Sequence, residues 1–324
     1  MNLEQLQDTV RAVTSPAFRD RLLAKGQARS IIWRDGELPQ GAPRFSQNLS
    51  YDLQSYAFAL LSLGIRLREE GGDEVLMRAG FEQSANALEA VVAKGDPNNP
   101  ERGFHRLLAA SAFHLGGFSA RAFSLLVASL DNSNLSPMER GLALFILRSF
   151  DELERQIADW CLGEVASDDQ LLSILARALE NSDDEESADA DVPSLATVDI
   201  ALTQNFLRGL GVFLMALESG ENQLVGLARE ELNRGFEICQ DLNLVPQWWC
   251  YRLAIHLLDD LWHASFHTVL PLAPPEGDAT SWPQLRSRFI ALLSRRKRAE
   301  IELWPSQLEA AKRAVDLRDD LVVS

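Results

Sequence analysis

The stretch Phe104–Leu130, FHRLLAASAFHLGGFSARAFSLLVASL, decides the fold class. Apolar and small side chains recur every three or four positions over Phe104–Leu115 and again over Phe118–Leu130, the spacing of one helix face. Only Gly116-Gly117 separates the two runs, and so short a connection turns the second helix back along the first. Ala109, Ala110, Ala112, Ala120, Ala122 and Ala128 are small enough to let the two backbones approach, while Leu108, Phe118 and Leu125 fill the gaps between turns. An antiparallel helix pair is predicted.

The same periodicity extends in both directions. Leu3, Leu6, Val10 and Val13 form one stripe, which Ser15-Pro16 interrupts, and Gly36–Pro43 reads as a loop. Long helical patterns cover Leu49–Glu70 and Asp73–Lys94, and Gly95–Pro100 breaks the chain after them. Ser136-Pro137-Met138-Glu139 is a capping box with proline at the first helical position. Helices are predicted from there through Cys161 and again over Ser167–Leu179. Asn181–Pro193 is acidic and serine-rich, a composition that buries too little apolar surface to order itself. A second helical block, Leu195–His267, carries Trp248, Trp249, Tyr251, Trp262 and Phe266. The expected fold is all-α, an array of antiparallel helix hairpins. Its expected divisions are a helical domain at 1–180, an acidic linker at 181–193, a second block at 194–270, a linker at 271–280 and a terminal segment at 281–324. Within the opening hairpin, Ala109, Gly116, Phe118, Leu125 and Ala128 are spaced in a way that resembles one tetratricopeptide repeat. It departs from that family at Ala112 and Arg121, where an aromatic and a small residue are usual.

Bulk chemistry narrows the function classes. The chain has 324 residues, 46% hydrophobic and 24% charged, the balance of a globular protein. The apolar runs near Tyr56–Ile65 and Leu210–Leu217 fall short of the ~20 residues a bilayer span needs, so no membrane is expected. Met1-Asn2-Leu3-Glu4-Gln5 lacks the features of a secretion signal. Cys161, Cys239 and Cys250 have no paired short spacing, which predicts reduced, buried thiols in a cytoplasmic protein. A net charge of −16 opposes nucleic-acid binding over the whole surface. The charge is uneven, however. Seven acids and no base occupy Glu180–Asp191, while Arg286, Arg288, Arg295, Arg296, Lys297 and Arg298 crowd one short segment.

Several constellations could carry chemistry. His263 and His267, four residues apart on one helical pattern, could share a face and hold a metal with Asp259 or Asp260. No HExxH or other ligand-rich segment accompanies them, and packing with Trp262 and Phe266 is the simpler reading; no metal is expected. None of the cysteines lies in a nucleophile signature. Gly209-Leu210-Gly211 has neither the preceding strand nor the following lysine of a phosphate loop. Adjacent Trp248 and Trp249 point about 100° apart on a helix. One is therefore expected in the core and the other nearer the surface, where it could stack a base. Arg295-Arg296-Lys297-Arg298 is either a solvated helix end set against the negative dipole terminus or a contact for a nucleic-acid backbone.

The last segment is more specific. Trp304-Pro305-Ser306-Gln307 leads into a helical pattern, and Leu321-Val322-Val323-Ser324 then reads as a short buried strand. This order resembles the start of the first RecA-like domain of superfamily 2 helicases of the DEAD/DEAH-box kind. There an aromatic-Pro-x-Gln motif is followed by a helix, a strand and a glycine-rich loop ending in Gly-Lys-Thr. The resemblance implies that Gln307 reads the adenine edge with its amide, which both donates and accepts, and that Trp304 and Pro305 pack near the base. It implies ATP and magnesium as cofactors of the intact parent protein, and nucleic acid as the partner of its motor. The loop lysine, the magnesium-holding Asp-Glu pair and the arginine fingers do not occur before Ser324, so no catalysis is expected from these residues alone. Large helical amino-terminal regions of this look accompany bacterial helicases of antiviral defence. The expected role is a non-catalytic scaffold that docks a partner protein or gates nucleic-acid access. The alternative is a free-standing helical-repeat adaptor with no nucleotide chemistry.

Overall fold

Short polar side chains set the helix starts in the first part of the chain. The Asn2 side chain accepts from the Gln5 amide at 2.9 Å and the Gln5 side chain takes the Asn2 amide at 3.2 Å. This reciprocal cap opens α1, Leu3–Val13. Thr14 closes α1, and Pro16 begins α2, Pro16–Trp33, where a missing amide is harmless. Ser46 and Asp73 cap α3, Gln47–Glu69, and α4, Glu74–Lys94, by accepting from the Leu49 and Leu76 amides. The remaining helices of the first part are α5, Arg102–Leu115, and α6, Ser119–Val127. The computed structural model describes residues 2–33, 44–127, 130, 134–161, 195–272 and 281–294, and near the end 302–303, 307, 309–310 and 313. It divides into two compact units, 1–139 and 140–324, each with its own core.

In the first unit α2 packs on α3, α3 on α4, α4 on α5 and α5 on α6, and α1 lies against α3 and α4. The predicted hairpin is formed. Its turn is a left-handed helix end: Gly117 adopts φ +82°, and the Phe118 amide reaches back to the Phe113 carbonyl at 2.8 Å. Ala109, Ala110, Ala112 and Ala122 are fully buried as expected. Ala120 is not; it faces solvent on α6. Phe81 on α4 is fully buried and occupies space left by two glycines. A Cβ on Gly64 would lie 3.0 Å from its ring, and one on Gly116 would lie 3.4 Å from its own Cβ. The exposed carbonyls at the end of α1 are taken by partners from α3 and α4. Tyr56 Oη lies 3.1 Å from the Val13 carbonyl, and Gln83 Nε2 donates to that of Thr14.

His105 is a buried titratable group of this core, 2% exposed, with its ring near Phe58 and Phe104. Burial holds its pKa below the ordinary 6.5, and the Glu101 carboxylate opposes that shift. Between the lowered folded value and 6.5 the unfolded chain binds more protons than the folded one. Stability is therefore full above 6.5 and falls as pH drops through that window. Thermal melts are expected to show a lower Tm at pH 5.5 than at pH 7.5, with a shallower dependence in His105→Gln. An unchanged slope in that variant would assign the dependence to other groups.

At the end of the first unit the Ser136–Glu139 capping box forms, with contacts of 2.9 and 3.3 Å, and starts α7, Pro137–Ile146, which continues into the second unit. After α8, Phe150–Cys161, come α9, Leu195–Ser219, α10, Asn222–Asp241, α11, Val245–Ala264, α12, Phe266–Val269, and α13, Trp282–Ser294. Helix α9 packs on α8, α10 and α11, and Phe145 of α7 meets Phe213 of α9 edge-on at 5.7 Å. Gly209 and Gly211 on α9 have a packing role, in keeping with their poor match to a phosphate loop. A Cβ on Gly209 would lie 2.8 Å from Leu232, and one on Gly211 would lie 3.4 Å from Ile157. The all-α expectation holds: the described residues contain thirteen helices and no strand. The segment Thr197–Ser219 is long and apolar enough to cross a membrane by length and composition alone, a test that a buried core helix also passes, and 67% of its apolar window is buried within the protein. The predicted helix Ser167–Leu179, the acidic stretch 181–193, most of 271–280 and the strand 321–324 lie outside the described residues.

Candidate functional site

Two of the terminal residues that lead toward Trp304 are held on the helical body of the second unit. Ser265, fully buried, ends α11 in an extended conformation and forms an isolated antiparallel bridge with Glu302. The Leu303 amide donates to the Ala264 carbonyl at 3.0 Å. Leu303 packs beside a small core of Phe266, Ile290 and Leu293, which joins α12 to α13. Glu302 meets Arg148 in a two-pronged ion pair, Nε to Oε1 at 2.7 Å and Nη2 to Oε2 at 3.0 Å. Both side chains are nearly buried, 13% and 12% exposed. Gln307, the expected adenine reader, is exposed. Trp304, Pro305 and the cluster Arg295, Arg296, Lys297 and Arg298 lie outside the described residues. The same α13 that buries Ile290 and Leu293 turns Leu285 and Leu292 toward solvent.

The histidine pair does not share a helix face. Helix α11 stops at Ala264 and the chain restarts at Phe266, so the four-residue spacing of His263 and His267 spans a break. His263 Nδ1 sits 2.7 Å from the Asp259 carbonyl, and Asp259 itself is paired with Arg229. His267 Nε2 donates to the Leu217 carbonyl at 2.8 Å, and its ring stacks on Trp262 at 5.9 Å. Burial holds its pKa below 6.5 against the opposing pull of that hydrogen bond. Among the described residues, no group of three or more His, Cys, Asp or Glu gathers as a metal would require.

Trp249 is buried and Trp248 half-buried, the division expected from adjacent positions on a helix. Trp248 already has ring partners, with Phe236 at 5.4 Å and the Arg252 guanidinium at 5.0 Å, so a nucleobase would have to displace one of them. Cys239 and Cys250 are buried, and burial pushes the Cys239 thiol up to about 12, which keeps it protonated and unreactive. Cys161 departs from the expected burial: it ends α8 on the solvent side.

A buried polar network went unread in the sequence. Tyr251 Oη, fully buried, lies 2.7 Å from the Leu202 carbonyl and 2.9 Å from Asn205 Oδ1. Asn205 Nδ2 donates to Glu231 at 3.0 Å, and Arg208 reaches the same carboxylate at 2.9 Å. Burial pushes the phenol well above its ordinary range, so it stays neutral. These groups satisfy one another, which makes the network a specificity element of the core. No local pattern reveals it, since Glu231 and Tyr251 lie tens of residues from Leu202, Asn205 and Arg208. No protein-family model matches the chain, and no curated protein matches it either.

Proposed function

We propose that this chain is the non-catalytic helical scaffold region of an ATP-dependent nucleic-acid helicase, acting in the cytoplasm to dock a partner protein or to gate nucleic-acid access, with antiviral defence as its setting. The observation that carries the proposal is the order Trp304-Pro305-x-Gln307, helical pattern, Leu321-Val322-Val323 at the end of an otherwise helical chain. An exposed Gln307 supports it, because an adenine edge must reach the amide from solvent. In this reading ATP and magnesium belong to the intact parent protein. Arg295, Arg296, Lys297 and Arg298 would lie beside the motor, where four cations in a row suit a phosphate backbone. The docking role rests on the paired-helix architecture, which offers long surfaces without committing any of them to chemistry.

The coding frame past Ser324 tests this at once. A glycine-rich loop ending in Gly-Lys-Thr is expected directly after Leu321-Val322-Val323-Ser324, with an Asp-Glu pair later in the frame. A frame that continues without them would remove the helicase reading.

A second reading, a helical-repeat adaptor, is favoured by the hairpin of α5 and α6 and by the sequential packing of α3 to α6. Amide exchange over 305–324 in the 324-residue chain separates the two. Strong protection there favours the adaptor, whereas a motor fragment without its sheet exchanges rapidly.

A further inference from the structure

Arg148 stands where the backbone disfavours it. Helix α7 ends in a left-handed turn: the Leu147 amide returns to Ala143, that of Arg148 to Phe145 at 3.2 Å, and that of Ser149 to Leu144 at 3.0 Å. Arg148 takes the left-handed position at φ +56°, a place where glycine is the usual occupant because it has no Cβ to strain. The equivalent turn after α10 is occupied by Asn243 at φ +54°, a residue that tolerates the conformation. An arginine there gains nothing from the turn itself. What it gains lies in its side chain: Nη1 donates to the Phe145 carbonyl at 2.8 Å, and the rest of the guanidinium grips Glu302.

The partner is as unusual as the position. Glu302 is separated from Arg148 by 154 residues. It belongs to a two-residue contact that adds one backbone bridge and one leucine to the body. An edge hydrogen bond and a partly buried leucine hold such a stretch weakly, since isolated pairs are marginal in water. The nearly buried fork of Arg148 supplies the directional part of the attachment, and removal of either charge leaves the other poorly solvated.

We propose that Arg148 and Glu302 form a releasable latch that holds Glu302 and Leu303 on the helical body and opens without unfolding α7 or α11. The latch goes beyond the helicase reading and stands whether or not a motor lies downstream. Its consequence is mechanical: the closed latch fixes the backbone at Leu303, one residue before the Trp304-Pro305-Ser306-Gln307 motif begins in the sequence.

Hydrogen exchange of the 324-residue chain tests it with two variants. Glu302→Gln keeps the shape and removes the charge. Arg148→Gly removes the guanidinium and places in the turn the residue its backbone favours, so the helix end is not penalised. Both are expected to speed exchange of the Leu303 amide by roughly ten-fold or more while α7 and α11 keep their protection, since local opening proceeds separately from global unfolding. Unchanged exchange at Leu303 in both variants would overturn the latch, because the pair would then be a bystander. Equal loss of protection across α7, α11 and Leu303 would also overturn it, because the pair would then belong to the core.

Discussion

Phe81→Ala is expected to destabilise the first unit by about 3–5 kcal/mol, the range for emptying a fully buried phenylalanine site. The site is poorly placed to collapse. Gly64 on α3 faces the ring, and it has no side chain that could lean into the vacated volume. Helices α3, α4 and α5 are also held in register by bonds outside the ring's reach, including Ser84 Oγ donating to the Ala57 carbonyl at 2.7 Å. Those restraints keep the cavity open, which puts the cost toward the upper end. Against a typical total stability of about 5–15 kcal/mol, such a loss lowers Tm by roughly 10 °C or more. Circular dichroism melts at pH 7.5 measure it. A change below about 1 kcal/mol would mean that Phe81 does not hold the hairpins together.

The second large effect is expected on α10, where two glycines should respond with opposite signs. A Cβ on Gly235 would lie 2.1 Å from Tyr251 Cζ, 2.3 Å from Cε1 and 2.4 Å from Oη. The ring cannot easily retreat, since its hydroxyl is placed against Leu202 and Asn205 and it forms a T-shaped pair with Phe206 at 5.2 Å. Gly235→Ala is therefore expected to destabilise the second unit by about 2–3 kcal/mol, overpacking outweighing the gain in helix propensity. Gly226, nine residues earlier on the same helix, has nothing within 4 Å of a built Cβ. There the propensity term acts alone, and Gly226→Ala is expected to stabilise by about 0.5–1 kcal/mol. Urea melts of both variants measure the pair. Equal effects at the two positions would contradict the packing of Tyr251 on Gly235.

These two glycines show what the sequence could and could not reveal. The helices were legible because their signals are local. Ser15-Pro16, the Ser136–Glu139 box and Gly116-Gly117 each act within four residues, and the apolar stripes of α1 and α5 need only helical geometry. Gly226 and Gly235, by contrast, look alike in sequence, and only the ring of Tyr251 tells them apart. The histidine spacing misled for a related reason. A four-residue interval means a shared face only if the helix continues, and Ser265 interrupts it. Burial of Cys161 was expected from residue type, yet its position at the outer end of α8 decided otherwise. Of the candidate site, the sequence supplied Gln307 and its motif but no sign of the anchor beside it. Arg148 and Glu302 carry no signature, and tertiary packing alone brings them together.

Consistency between the helical body and the terminal motif gives the functional reading its shape. The body satisfies its own polar groups at Tyr251 and His267, leaving them committed to structure. Chemistry, in this reading, belongs to a motor downstream of Gln307, and the body positions and guards it.

Nucleic-acid-stimulated ATP hydrolysis is the most direct test, measured for the product of the whole coding frame, for its Gln307→Ala variant and for residues 1–324 alone. The whole product is expected to turn over ATP, and loss of an amide that both donates and accepts should slow it by about ten-fold or more. Residues 1–324 are expected to show no turnover. Hydrolysis by residues 1–324, or a Gln307→Ala variant as active as the parent, would contradict the proposal.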